Sequence, residues 1–120
     1  MRDRPTGAEL AILVQCIEDG DPDVEVPADA RYRNLMLASA VAISKRQLEN
    51  GSVPERRERN RLNQILNKEG TLVSLNRDLV KAIREGRFCP GTIIWDQVRD
   101  HLWLTAIDRV SESSPKALID

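Results

Sequence analysis

The residues of this chain that could do chemistry are few, and none makes a complete site. Asp19, Asp21 and Asp23 alternate as the carboxylates do at the opening of a calcium loop, where they ring a hard cation. The sixth position of that pattern is Val24 instead of glycine, and the twelfth is Ala30 instead of glutamate. The segment therefore reads as a solvated acidic connector, and no metal is expected. His101 is the sole histidine, and the two cysteines, Cys16 and Cys89, lie far apart without a Cys-x-x-Cys spacing. A nucleophilic Cys–His pair would need them to meet in space, and zinc needs more ligands than the chain offers. His101 is expected on a helix surface between Asp100 and Leu102, and the thiols are expected to be reduced. The six glycines form neither a phosphate loop nor a dinucleotide fingerprint. No catalytic residue and no cofactor follow from these residues, so the chain reads as a non-enzyme.

Candidate binding residues are mostly cationic. Residues 1–30 carry eight acids against two arginines, whereas residues 31–68 carry nine bases against three acids. Such a split points either to an anionic partner or to two segments that neutralise each other. The densest run, Glu55-Arg56-Arg57-Glu58-Arg59-Asn60-Arg61, has i,i+3 and i,i+4 pairs that support an exposed helix. Arg56, Arg57 and Arg59 there are candidate contacts for a partner. A helix–turn–helix would place Gly70 in its turn and Asn76, Arg77 and Lys81 on its second helix. Polar Asn76 falls where that motif wants an apolar residue, and the net charge is −1, which argues against nucleic acid. Tyr32, Ser39 and Arg46 recur every seven residues. On a helix they form one stripe, whose arginine either snorkels outward or meets a specific partner.

The elements that must position these residues are all helical. At 120 residues the chain has material for one domain. Its hydrophobic fraction of 41% and charged fraction of 31% are those of a globular protein. Thr6-Gly7-Ala8-Glu9 is a capping box, and Leu10, Leu13, Val14 and Ile17 follow at helical spacing. The patterns predict helices over about 7–19, 29–49, 53–69, 75–85 and 93–110, with 111–120 a partly frayed tail. Ser52-Val53-Pro54-Glu55 reads as a second capping box, and the fourth helix is expected to start after Ser74. The second helix is apolar nearly all round from Leu35 to Ile43, which predicts a buried central helix with Leu35, Met36, Ala40 and Ile43 inaccessible. The first half of the third helix, crowded with arginines, is expected to project into solvent. No stretch alternates with period two, so the fold expected is an all-α bundle of about five helices. No apolar run is long enough to cross a membrane, and no apolar segment follows Met1–Pro5 as a secretory signal requires. A cytoplasmic setting is expected.

Arg31-Tyr32-Arg33-x-Leu35-Met36, Ala38-Ser39-Ala40-x-Ala42-Ile43 and Arg46-x-Leu48 together resemble a small bacterial family of domains of unknown function. Arg4-Pro5-Thr6-Gly7-Ala8-Glu9-Leu10, Asn76-Arg77-x-Leu79 and Ile83-Arg84-x-Gly86 extend the likeness over nearly the whole chain. Where that family has Ala-Asn-Ala, this chain has Ala38-Ser39-Ala40, and Gln47 stands where Glu is usual. Such domains are encoded beside, or fused to, aminoglycoside-phosphotransferase-like kinases and acyl-CoA dehydrogenases. The resemblance implies a non-catalytic accessory or interaction domain in acyl-CoA or lipid catabolism. The alternative is a small CoA- or phosphate-binding protein, with Arg31, Tyr32, Ser39 and Arg46 among its contacts. Self-association is left open.

Overall fold

The computed structural model describes residues 1–119 and is all-helical, with no strand among them. Five helices run α1 Gly7–Glu18, α2 Ala30–Asn50, α3 Val53–Leu66, α4 Leu72–Arg84 and α5 Ile93–Ser113, followed by a 3-10 turn at Pro115–Leu118. They form two compact units. Arg2–Gly51 is a hairpin of α1 and α2; the other unit, which includes Met1, begins at Ser52 and holds α3, α4 and α5.

In the hairpin, Thr6 accepts from the Glu9 amide and the Glu9 carboxylate accepts from the Thr6 amide, so the expected capping box forms. Arg4 donates twice to the same carboxylate, at 3.1 and 2.7 Å. The guanidinium, then the Thr6 amide, hold the Glu9 carboxyl down at about 2. Gly7 is where the two helices come closest. Its amide donates to Gln47 Oε1 at 2.7 Å, and a Cβ there would stand 3.0 Å from the Ser44 Cα. Asp29 caps α2 by accepting from the Tyr32 amide, and Gly51, with φ 57°, ends the helix. Arg2 donates to the Gly51 and Gln47 carbonyls, placing a cation at the negative end of α2.

The expectation of a buried α2 is not met. None of its residues is buried: Leu35 is 62% exposed and Met36 47%, while Ala40 and Ile43 are half-buried. The cause is the number of neighbours. A helix that is apolar all round is central only if other helices cover every side, and in this unit α1 alone packs on it, through a seam around Gly7 and Val14.

In the three-helix unit the central position belongs to α3, on which both α4 and α5 pack. Leu62, Leu75, Leu79 and Val98 make the core, with Ile65, Leu66, Leu72 and Phe88 against it. Several expected boundaries shift. Ser52 makes no side-chain capping bond, and α3 begins instead on a buried Pro54 in its first turn, where a missing amide costs nothing. The helix stops at Asn67, in the left-handed region at φ 50°, before Gly70 is reached. Thr71 rather than Ser74 caps α4, accepting from the Ser74 amide at 3.2 Å. This earlier start lets Leu72 join Leu75 over Leu62. Thr92 caps α5 as expected. The segment expected to fray from 111 stays helical to Ser113, where Glu112 is buried.

Candidate functional site

α3 and α5 meet along a seam that is apolar at one end and polar at the other. Ile94, Val98, His101, Thr105, Asp108 and Glu112 recur at alternating steps of three and four, which puts them on one face of α5. On α3, Pro54, Glu58, Arg61 and Leu62 share a face by the same spacing. Val98 meets Leu62 in the core, but beyond it the buried positions are occupied by polar groups. His101 is only 2% exposed. Its Nδ1 accepts from Arg61 Nε at 3.0 Å, and Arg61 also donates to Thr105 Oγ1 at 3.0 Å. Burial first, then the Arg61 charge, then the amino-terminal charge push the imidazole down to about 4. At neutral pH it is therefore uncharged, with its proton on Nε2. The guanidinium is lowered as well, by desolvation and by Arg57, against the opposing pull of Asp108.

A second polar group lies on the α3–α4 side. Glu58 is 4% exposed, accepts from Asn76 Nδ2 at 3.0 Å, and is bonded by the amino terminus. Asn76 also donates to the Leu72 carbonyl at 2.9 Å. These groups are satisfied within the fold. Arg61 ties α3 to α5 through His101 and Thr105, and Glu58 ties α3 to α4 through Asn76. His101 is thus a buried seam residue, not the surface residue expected. The legible signal was the heptad step from Ile94 through His101 to Asp108, which extends the core stripe of α5.

The sequence candidates separate. Arg31, Tyr32 and Ser39 are exposed on α2 and Arg46 is half-buried. Tyr32 is 57% exposed. Arg56, Arg57 and Arg59 are exposed on α3, with Arg57 bridging to Asp108 at 3.4 Å. The first half of α3 is nonetheless not a free projection, because Pro54 and Glu58 bury its other side and Arg61 folds onto α5. Asn76 serves Glu58, and Arg77 is exposed. Among the described residues no group of three or more His, Cys, Asp or Glu could hold a metal ion.

The surface with most to offer was not anticipated. Both α4 and α5 lean on α3, and between them opens an apolar groove of about 190 Å³ lined by Ile83, Phe88, Trp95, Val98, Arg99 and Leu102. It continues onto the outer face of α5, where Leu102 and Trp103 stand beside Ala106. Trp103 is 69% exposed, and Ile83 and Trp95 are exposed too. Of Trp95, Val98 and Leu102 on α5 only Val98 is buried, because it lies on the side of the helix that packs on α3.

The sequence pattern of a family described as a domain of unknown function, DUF6285, matches residues 10–117. No curated protein and no solved structure matches the chain.

Proposed function

Since the chain belongs to DUF6285, a family defined without an activity, we propose from its surface that it is a non-catalytic interaction domain that docks on an enzyme through the α4–α5 groove and the adjoining face of α5. The observation that carries this is the exposed pair Trp95 and Trp103 with Leu102 and Ile83. A soluble fold gains nothing by leaving two tryptophans in water, whereas tryptophans are the commonest anchors of protein interfaces. The partner proposed is an aminoglycoside-phosphotransferase-like kinase or an acyl-CoA dehydrogenase, as the family resemblance implies, and the setting is the cytoplasm. No helix is long and apolar enough to cross a membrane among the described residues, which fits that setting. Arg56, Arg57 and Arg59 lie elsewhere on the same unit and would steer approach by charge.

The test is affinity capture of the chain from its native host under mild lysis, followed by binding assays with the enzyme recovered. Changing Leu102 and Trp103 together to Ala should weaken binding by tenfold or more, since anchor truncations cost about 2 kcal/mol or above. Full binding by that variant, or capture that recovers neither class of enzyme, would remove the support for this reading.

A further inference from the structure

We propose that Asn50 is a site of self-modification: the Gly51 nitrogen displaces its side-chain amide, at a rate set by the hold of Arg2 on the last turn of α2. Asn50–Gly51 is the only Asn–Gly step in the chain. Glycine has no side chain to obstruct its own nitrogen, and its wide torsional range lets the backbone fold back on the side chain before it. Asn50 is the last residue of α2 and is exposed, and Gly51 follows it at φ 57°.

The chemistry needs only water. Hydroxide takes the Gly51 N–H proton, and the nitrogen attacks Asn50 Cγ. The Cγ–Nδ2 bond breaks, its electron pair takes a proton from water, and ammonia leaves. Water then opens the five-membered imide at one carbonyl or the other. One opening leaves aspartate; the other leaves isoaspartate, with the main chain running through the former side chain. Either product sets a carboxylate at the negative end of α2, where a helix disfavours it. Isoaspartate also lengthens the backbone by one carbon at the cap.

The native geometry opposes the first step. The Gly51 amide donates to the Gln47 carbonyl at 2.9 Å, so its proton is engaged. Ring closure also requires Asn50 to leave the helical conformation. Helix ends open easily unless something ties them down, so the reactivity of Asn50 follows whatever ties this one. Arg2 does so. Its Nη2 donates to the Gly51 carbonyl at 2.7 Å and to the Gln47 carbonyl at 3.3 Å, spanning the two residues that a frayed turn would separate. The Gln47 side chain is fixed as well, since its Oε1 accepts from the Gly7 amide at 2.7 Å. Arg2 is thus a positioning residue, and it takes no part in bond making.

The experiment is incubation of the full chain at mildly alkaline pH, with the peptide around Asn50 followed by mass spectrometry and isoaspartate scored by enzymatic methylation. Deamidation should be slow in the folded chain and much faster in urea. Arg2→Ala should speed it about fivefold, the factor by which losing one modest hydrogen bond raises an opening equilibrium. Circular dichroism checks that helicity is kept, and exchange of the Gly51 amide hydrogen should rise in step. Arg2→Lys, which keeps a cation able to donate to both carbonyls, should stay close to the native rate. Gly51→Ala should slow the reaction strongly even in urea, where the fold plays no part. Equal rates in buffer and in urea overturn the proposal. So do equal rates for the native chain and Arg2→Ala, or an Arg2→Lys chain that reacts as fast as Arg2→Ala.

Discussion

Lowering the pH below neutrality should weaken the fold through His101, the sole histidine. The imidazole titrates near 6.5 when unfolded and near 4 in the native seam. The native state therefore binds fewer protons between those values, and stability rises with pH across that window. The contribution is complete above 6.5 and is lost as the pH falls toward 4, on the order of 3 kcal/mol in all at 1.4 kcal/mol per unit. Urea unfolding at pH 7 and pH 4.5 should show this loss in the native chain and less of it in His101→Gln, whose amide oxygen can still accept from Arg61. Glu9 behaves in the same sense at lower pH: its carboxyl, held down by Arg4, supports the start of α1 above the usual carboxylate range and releases it as the pH falls through about 2. The capping role of Glu9 was legible in the four residues Thr6 to Glu9, because a cap is a local contract between neighbours. The buried roles of His101, Glu58 and Glu112 were not. Polar side chains signal exposure when read one at a time, and only the steps of three and four from Val98 to His101 and Glu112 on α5, and from Pro54 to Glu58 and Leu62 on α3, betray that these three continue buried faces.

At the scale of the helices, two capping sites allow a direct comparison. Thr71→Ala should cost about 1 kcal/mol, because its hydroxyl satisfies the Ser74 amide. Ser52→Ala should cost close to nothing, because its side chain makes no capping bond. Thermal melts of the two variants side by side check both statements. Gly7→Ala should destabilise the hairpin by about 1–3 kcal/mol, since the added methyl would press on the Ser44 backbone, which cannot turn aside as a side chain can. Helix class and number were readable from periodicity, and the ends of α1 and α2 and the start of α5 from their caps. The start of α4 was not, since Thr71 and Ser74 are both good capping residues and only packing of Leu72 over the core chooses between them. Which helix is central was misread for a related reason. Apolar content marks α2, but centrality depends on how many helices pack on an element, and that count favours the more polar α3.

For the molecule as a whole, the division into a hairpin and a three-helix unit implies unequal local stability. Amide hydrogens of α1 and α2 should exchange faster than those of α3 and α4, since protection follows buried apolar contact and the clustered core lies among Leu62, Leu75, Leu79 and Val98. Hydrogen-exchange mass spectrometry resolves this.

Both tryptophans, Trp95 and Trp103, belong to α5, and the hairpin carries no aromatic residue but Tyr32. Intrinsic fluorescence excited at the red edge therefore sees one unit only. An emission change on heating reports the loosening of α5, whereas ellipticity counts all five helices, including the thirty-three residues of α1 and α2. If the units melt apart, the two optical traces will separate, and a midpoint taken from light emission alone will describe half of a protein whose other half has already uncoiled or has yet to begin.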